Sequence, residues 1–261
     1  MSKTTEYLCH EKIVHMLVHS KLSLHALRVL HALLYSADKQ PNGIAAGSHG
    51  VGPPPLVIAT SMIPALVGPV AANGLKSTNR GLEELSRTNL FEVFEHDTAT
   101  NHLEYKFAPS VTRLAVRAKK DAFAMIDLLD VQKCHTLHQL LFYTDMMVVA
   151  NCQWPKFQLP GVGVGLDPWP GSVSQKWLRA AEKWSSEKHF CFLVVPLTEA
   201  RTKRIESVWV KISHSNTNWS PGCFYFLTYR LLPTTVIAGA SQRTTRAIIR
   251  QRHTWRYADR P

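Results

Sequence analysis

The sequence predicts an α+β protein, and three observations indicate this fold class. Apolar residues recur at helical spacing in some segments and at strand spacing in others. The same order of these segments occurs in each half of the 261 residues. Hydrophobic residues make up 45% of the chain and charged residues 19%, which is typical of a folded protein with a substantial core.

The best-defined stretch runs from Leu56 to Val111 and predicts one strand, two helices and one hairpin. These elements are the strand Leu56–Ala59, the short helix Ser61–Val67, the longer helix Leu75–Arg87, and a hairpin of Phe91–Phe94 with Leu103–Phe107. Helix, turn, helix and hairpin is the order of a winged helix, in which the second helix enters the DNA major groove. We therefore predict a first winged-helix domain over residues 1–118.

Two further helices are expected beside this stretch. The first spans Glu11–Tyr35, where leucines return every three or four residues. Its His15 and His19 lie four residues apart, but no third metal ligand accompanies them, so we interpret them as ordinary histidines and predict no metal site. The second helix spans Val111–Val131. Its expected buried face comprises Leu114, Phe123, Ile126 and Leu129.

The second half of the chain repeats the order of the first about 100 residues later. The corresponding segments are Pro55–Ile58 with Pro155–Gln158, Arg80 with Arg179, and Phe91–Phe94 with Phe190–Leu193. Helices are predicted over Leu137–Met147 and Ser172–Trp184, and a hairpin strand over Ile205–Ile212. We predict a second winged-helix domain over residues 119–212, related to the first by a pseudo-repeat, and a strand-like segment with a basic tail over residues 213–261.

The longer helix of the first half has a polar face suited to contact with DNA. Leu75, Leu82 and Leu85 form its expected buried side. The residues on the opposite side are Lys76, Asn79, Arg80, Glu83 and Arg87. A first domain with these residues is expected to contact the DNA backbone and to contribute to dimerisation.

Helix Ser172–Trp184 separates its two faces more cleanly. Its inward stripe comprises Val173, Trp177, Ala180, Ala181 and Trp184. Its outward set comprises Ser172, Gln175, Lys176, Arg179 and Lys183. Arginine and lysine bond guanine O6 and N7, glutamine bonds adenine N6 and N7, and further lysines hold phosphates. We predict that this helix is the main reader of double-stranded DNA.

The two predicted hairpins differ in charge. The first carries Glu92, Glu95, Asp97 and Glu104, which phosphate would repel. The second carries Arg201, Lys203 and Arg204 near its loop. We therefore expect the second hairpin to contact DNA and the first to serve another purpose, such as pairing with another subunit.

The bulk composition favours a polyanionic partner. The net charge is +11 and the pI is about 9.6, which favours nucleic acid first and an anionic membrane second. No run of residues has the length and apolarity of a membrane span, and the N-terminus does not resemble a signal peptide. The five cysteines form no C-x-x-C pair, so we expect reduced thiols and a cytoplasmic protein.

The C-terminal segment Ser241–Pro261 is rich in arginine and contains a single acidic residue, Asp259. Trp255 and Tyr257 lie among its arginines. Arginines interleaved with aromatic residues suit phosphate contact and base stacking, although a solvated basic tail explains the same pattern equally well.

The chain resembles the plasmid replication initiators of the Rep type, which have two winged helices in tandem. The likeness covers about residues 20–212. It is carried by Leu22–Leu24, Gly81–Leu85, Tyr105–Pro109, Trp177–Ala181 and Ile205–Val210. The resemblance implies binding to repeated origin sequences (iterons), opening of an adjacent AT-rich duplex and recruitment of host replication proteins such as a helicase. It also implies a homodimer that represses its own gene and a monomer that initiates replication.

Two alternatives to an initiator remain. One is a transcriptional repressor with the same fold, and the other is a nuclease or strand-transfer enzyme acting on DNA. Tyr225 and Tyr229 have the spacing of the tyrosine pair in some nickases, but the metal-binding His-x-His pair of those enzymes is absent from the sequence. The glycines of Gly161–Gly165 lack the dinucleotide-loop spacing, and there is no ATP-binding P-loop motif. We therefore predict a non-catalytic protein without a cofactor.

Overall fold

The computed structural model describes residues 5–40, 54–68, 74–116, 123–152, 155–160, 172–198, 205–213, 230–231 and 235–238. The chain divides into two compact units, Met1–Val148 and Val149–Pro261. Helices and antiparallel strands occur in both units, which confirms the predicted α+β class.

The first unit contains β1 (Glu6–His10), α1 (Glu11–His19), α2 (Leu24–Asp38), β2 (Leu56–Ala59), α3 (Met62–Val67), α4 (Gly74–Ser86), β3 (Phe91–Asp97), β4 (His102–Phe107), α5 (Pro109–Val116), β5 (Phe123–Asp127), α6 (Leu128–Lys133) and α7 (Leu137–Val149), which ends at the division between the units. The second unit contains β6 (Lys156–Gln158), α8 (Ser172–Lys188), β7 (Cys191–Thr198), β8 (Ile205–Ser213), β9 (Arg230–Leu231) and β10 (Thr235–Ala238).

Helix α2 is the centre of the first unit. Ten of its 15 residues are buried, so it is covered by neighbours on most of its circumference. Ser23 caps its N-terminus, because the Ser23 hydroxyl accepts a hydrogen bond from the Ala26 N–H at 3.3 Å. On another side, the Tyr105 hydroxyl of β4 donates to the Leu33 carbonyl at 2.9 Å, which ties the sheet to this helix.

The first unit has two antiparallel sheets. One has the strand order β2-β4-β3, with Leu56 opposite Tyr105 and Phe94 opposite the same tyrosine on the other side. The other consists of β1 and β5, with Tyr7 opposite Ile126. Side chains alternate between buried and exposed along β4, as expected for a sheet with one face on the core.

The single helix predicted over Glu11–Tyr35 is wrong, because the structure has α1 and α2 in that range. The Ser20 N–H donates to the carbonyls of Met16 and Leu17, which closes the end of α1. Ser23 then starts a new helix three residues later. A serine-containing turn therefore interrupts a helical apolar pattern that reads as continuous.

The single helix predicted over Val111–Val131 is also wrong, because this range holds the end of α5, then β5 and most of α6. Strand β5 pairs with β1, a partner so distant in sequence that local periodicity cannot reveal it. Asp127 then caps α6 by accepting from the Leu129 N–H at 3.0 Å. Leu129 is 48% exposed, so its predicted burial is wrong.

Hydrogen bonds from α2 to the end of α6 tie residues beyond 118 to the first compact unit, which extends to Val148. Arg28 is 1% exposed and donates to the carbonyls of Gln132 at 2.9 Å and Cys134 at 2.5 Å. It also donates to the Gly68 carbonyl at 3.3 Å. The predicted winged-helix domain covers only residues 1–118 of this unit, and its assignment stays a prediction.

In the second unit α8 packs against a sheet of strand order β10-β7-β8-β6, with β9 pairing with β7 at one end. The predicted hairpin is present as β7 and β8, with Val194 opposite Val210. The strands bury one face, which comprises Phe157, Phe192, Val194, Val208, Val210 and Ile212. None of the helices in the described parts of the chain combines the length and apolarity needed to cross a bilayer.

Candidate nucleic-acid interface

Helix α4 presents the polar face that its sequence predicts. Lys76, Asn79, Arg80 and Arg87 are all exposed, the last one just beyond the helix end. On the opposite side Leu82 and Leu85 are buried at 1% and 0% exposure. Leu75, which was expected to be buried, is 59% exposed because Thr78 occupies the inward position of the first turn.

The cations of α4 differ in how far they are engaged within the protein. Arg87 pairs with Glu83 at 2.5 Å, but both side chains are largely exposed, so the pair is weak and easily exchanged for another partner. Arg80 lies near His25 of α2. Burial lowers the pKa of His25, and the positive charges of Arg80 and Arg28 lower it further. The His25 imidazole is therefore favoured in its neutral form beside this basic face.

The hairpin that follows α4 is acidic, as predicted. Glu95 and Glu104 are direct cross-strand partners and are both exposed, an arrangement that like-charge repulsion disfavours. Lys106 pairs with Glu92 at 3.1 Å. At the tip, hydrogen bonds from Thr100 and then from the Ala99 N–H lower the pKa of Asp97, which holds it ionised.

Helix α8 carries a cleaner division between a buried and an exposed face. Trp177, Ala180, Ala181 and Trp184 are 3%, 0%, 1% and 0% exposed. Gln175, Lys176 and Arg179 are exposed on the other side of the helix. Val173 was expected inside but is 36% exposed, because Ser174 takes the inward position at 2% exposure.

The predicted outward set on α8 begins at Ser172, the first residue of the helix, and its last member, Lys183, differs from those in the middle. Lys183 is only partly exposed, lies 3.7 Å from Glu187 and sits 5.3 Å from the ring centre of Trp184. Its ammonium group therefore already has partners within the protein, whereas Lys176 and Arg179 have no ion pair with any described residue.

Several predicted DNA-contacting residues lie outside the described residues. These are Arg201, Lys203 and Arg204 of the second hairpin loop, together with the whole of the arginine-rich segment 241–261. The tyrosines at 225 and 229 and the glycines of 161–165 also fall outside them. Their roles stay predictions.

Histidines and cysteines of the described residues do not assemble into a metal centre. His15 and His19 are exposed neighbours on α1 with ring centres 4.2 Å apart, but no group of three potential ligands occurs in these parts of the chain. Cys9 and Cys134 are buried, Cys152 is exposed, and none of the three forms a disulfide. Burial raises the pKa of the Cys9 thiol to about 12, which keeps it protonated and unreactive at neutral pH.

Two residues at the contact between α4 and α2, Glu84 and Ser23, were not assigned a role from the sequence. Glu84, on the flank of α4, accepts hydrogen bonds from both the N–H and the hydroxyl of Ser23. A serine before an apolar helix signals an N-cap, so the capping role of Ser23 could have been predicted from its position. Its contact with Glu84 could not, because the two residues are 61 positions apart.

The fold of the chain is similar to the folds of several solved structures. No protein-family profile matches the chain, and no curated protein sequence matches it. Eight chains of solved structures do match. One is the crystal structure of Pi initiator protein in complex with iteron DNA, with a TM-score of 0.52 and 16% sequence identity over 81% of this chain and 98% of that one. At this level of identity the likeness shows a shared fold.

Proposed function

We propose that the protein binds double-stranded DNA sequence-specifically at a replication origin and initiates plasmid replication without catalysing a reaction itself. In this proposal residues 1–118 and 119–212 act as tandem winged-helix domains related by a pseudo-repeat. The similarity of fold to an initiator crystallised with iteron DNA supports the proposal. The excess of basic residues along the chain supports it as well.

The observation that carries the proposal is the exposed face of α8. Gln175, Lys176 and Arg179 lie within about one helical turn of each other, opposite two fully buried tryptophans. The tryptophans hold the helix on the sheet, so its polar side is left for a groove. These three side chains offer donors for guanine and a matched donor and acceptor for adenine.

The first domain makes a supporting contact in this proposal. Lys76, Asn79, Arg80 and Arg87 of the α4 face contact phosphates and adjacent bases, while the acidic hairpin stays away from the DNA backbone because Glu95 and Glu104 repel phosphate. The hairpin is then available to another protein, such as a second copy of the chain in a homodimer. Opening of the duplex at an origin further requires host replication proteins, among them a helicase.

Footprinting on DNA flanking the gene tests the proposal. An initiator protects evenly spaced direct repeats. Protection of a single palindrome would instead identify a transcriptional repressor, and strand cutting on addition of magnesium would identify a DNA-cleaving enzyme.

Charge reversal tests the assignment of α8. The double variant Lys176→Glu/Arg179→Glu should abolish protection of the repeats, since each cation is both lost and replaced by a repulsive carboxylate. The matched control reverses Lys21 and Arg113, two exposed cations outside α4 and α8, with the same change in net charge. If the control loses binding and the α8 variant keeps it, or if changes at Glu95 and Asp97 remove binding instead, the assignment is wrong.

A further inference from the structure

Helix α4 is attached to α2 by hydrogen bonds between the carboxylate of Glu84 and Ser23 at the N-terminus of α2. Glu84 of α4 places Oε1 at 2.7 Å from the Ser23 N–H and Oε2 at 2.5 Å from the Ser23 hydroxyl. Both carboxylate oxygens are therefore used on one residue, which fixes orientation as well as distance. Ser23 is at the same time the N-cap of α2, so the carboxylate also lies at the positive end of that helix.

A second attachment lies less than one helical turn away along α4. A Cβ on Gly81 would lie 2.8 Å from the His25 carbonyl oxygen and 2.9 Å from the Val29 Cγ2 atom. The backbones of α4 and α2 therefore approach as closely as only glycine permits. Gly81 and Glu84 are three residues apart and share one side of α4, so both attachments hold the same side.

These contacts differ in kind from the apolar packing of α4. Burial of Leu82 and Leu85 stabilises the helix on the core, but apolar burial is non-directional and tolerates small rotations about the helix axis. A bidentate hydrogen bond and a close backbone approach do not tolerate them. The direction in which Lys76, Asn79 and Arg80 point is thus set by the side of the helix that carries Gly81 and Glu84.

We propose that Glu84, Ser23 and Gly81 are positioning residues that fix the rotation of α4 and thereby select which DNA sequence its polar face can contact. The proposal rests on the proposed function, since it requires that α4 meets DNA. Glu84 contributes through Ser23 and touches no DNA itself.

A purely electrostatic role for Glu84 predicts the opposite change in DNA affinity when Glu84 is removed. If Glu84 were only a negative charge near the DNA, its removal would strengthen binding to every sequence by relieving repulsion. A positioning role instead predicts weaker binding to the preferred site with little change on unrelated DNA. Glu84→Gln removes the same charge but keeps an acceptor for the Ser23 N–H, so it is the matched control for charge.

The experiment has two readouts on the full-length chain. Hydrogen exchange of the α4 amides in the free protein reports the attachment, and fluorescence-anisotropy titrations report binding to the footprinted repeat and to a scrambled duplex of equal length. For Glu84→Ala and for Ser23→Ala we expect faster exchange in α4 and a loss of about tenfold or more in the ratio of specific to non-specific affinity, comparable to one good base contact. Glu84→Gln, which keeps an acceptor for the Ser23 N–H, should recover part of the ratio.

The outcomes separate this proposal from the proposed function. Unchanged α4 exchange in Glu84→Ala, or affinity raised equally for both duplexes, overturns the positioning role. If wild-type protein binds the repeat and the scrambled duplex equally, the proposed function fails, whatever the exchange shows. Loss of the ratio in Glu84→Gln to the same extent as in Glu84→Ala would overturn the positioning role too, because the acceptor for the Ser23 N–H would be kept without keeping the ratio.

Discussion

Helices α4 and α8 each precede a β-hairpin, but they are held in place by different chemistry. Helix α8 is anchored by two tryptophans and two alanines, all at most 3% exposed. Helix α4 is anchored by two leucines, a glycine against the α2 backbone and a carboxylate on the α2 N-terminus. The hairpin after α4 is acidic on its exposed face.

This difference shows that one order of elements can serve two purposes. Large apolar anchors in α8 leave Lys176 and Arg179 exposed on its outer face. In α4 the charged residues are divided between anchoring and exposure, since Glu84 holds α2 while Arg80 and Lys76 remain at the surface. We therefore expect α8 to contribute more to affinity for DNA and α4 to depend more on its orientation.

The largest expected effect comes from removing an anchor of α8. Trp184→Ala should lower the free energy of unfolding of the second unit by about 3–5 kcal/mol, because a fully buried indole leaves a cavity. All seven tryptophans belong to the second unit, so urea titrations followed by their fluorescence report that unit. The control Val173→Ala, at a site 36% exposed, should cost about 0.5 kcal/mol or less. Equal losses from the two variants would refute the anchoring role of Trp184.

The next effect concerns the helix on which α4 rests. Burial lowers the pKa of His31 from 6.5 to about 3, and its Nδ1 lies 2.5 Å from the Tyr7 hydroxyl. Below pH 6.5 His31 takes up a proton in the unfolded chain but stays neutral in the folded chain. The free energy of unfolding is therefore highest above pH 6.5 and decreases as the pH falls towards 3. The loss should reach about 3 kcal/mol at pH 4, at about 1.4 kcal/mol per pH unit.

Far-ultraviolet circular dichroism during urea unfolding between pH 7 and pH 4 measures this loss for His31. The variant His31→Gln, which cannot titrate but can accept from Tyr7, should flatten the pH dependence, whereas His135→Gln at an exposed site should not. If the free energy of unfolding of the wild-type protein did not change between pH 7 and pH 4, His31 would take up its proton as readily in the folded chain as in the unfolded chain, and the prediction would be wrong.

The smallest effect tests the backbone contact of α4. Glycine to alanine inside a helix ordinarily stabilises by about 1 kcal/mol. Gly81→Ala should instead destabilise the first unit by about 1 kcal/mol, because relieving the overlap with the His25 carbonyl outweighs the gain in propensity. The reverse change in α8, Ala180→Gly, should destabilise the second unit. A stability gain from Gly81→Ala in urea titrations would show that the two helices are not in close contact.

Hydrophobic periodicity was sufficient where a segment is amphipathic by itself. Strand β2 has the predicted bounds, and α4 and α8 begin within one residue of their predicted starts. The same reasoning failed at Leu75 and Val173, each in a first helical turn, where the small polar residues Thr78 and Ser174 point inward instead. Near a helix end the direction of the chain, and not hydrophobicity, decides which side chains are covered.

What the sequence alone determined is the α+β class, the order of strand, two helices and hairpin over residues 56–107, and the exposed basic faces of α4 and α8, because each depends on residues close together in the chain. Tertiary structure decided that β5 pairs with β1, that a buried Arg28 joins α6 to α2, and that Glu84 accepts hydrogen bonds from Ser23. Those contacts join residues about 60 to 120 positions apart, and their geometry arises only when packing brings distant donors and acceptors together.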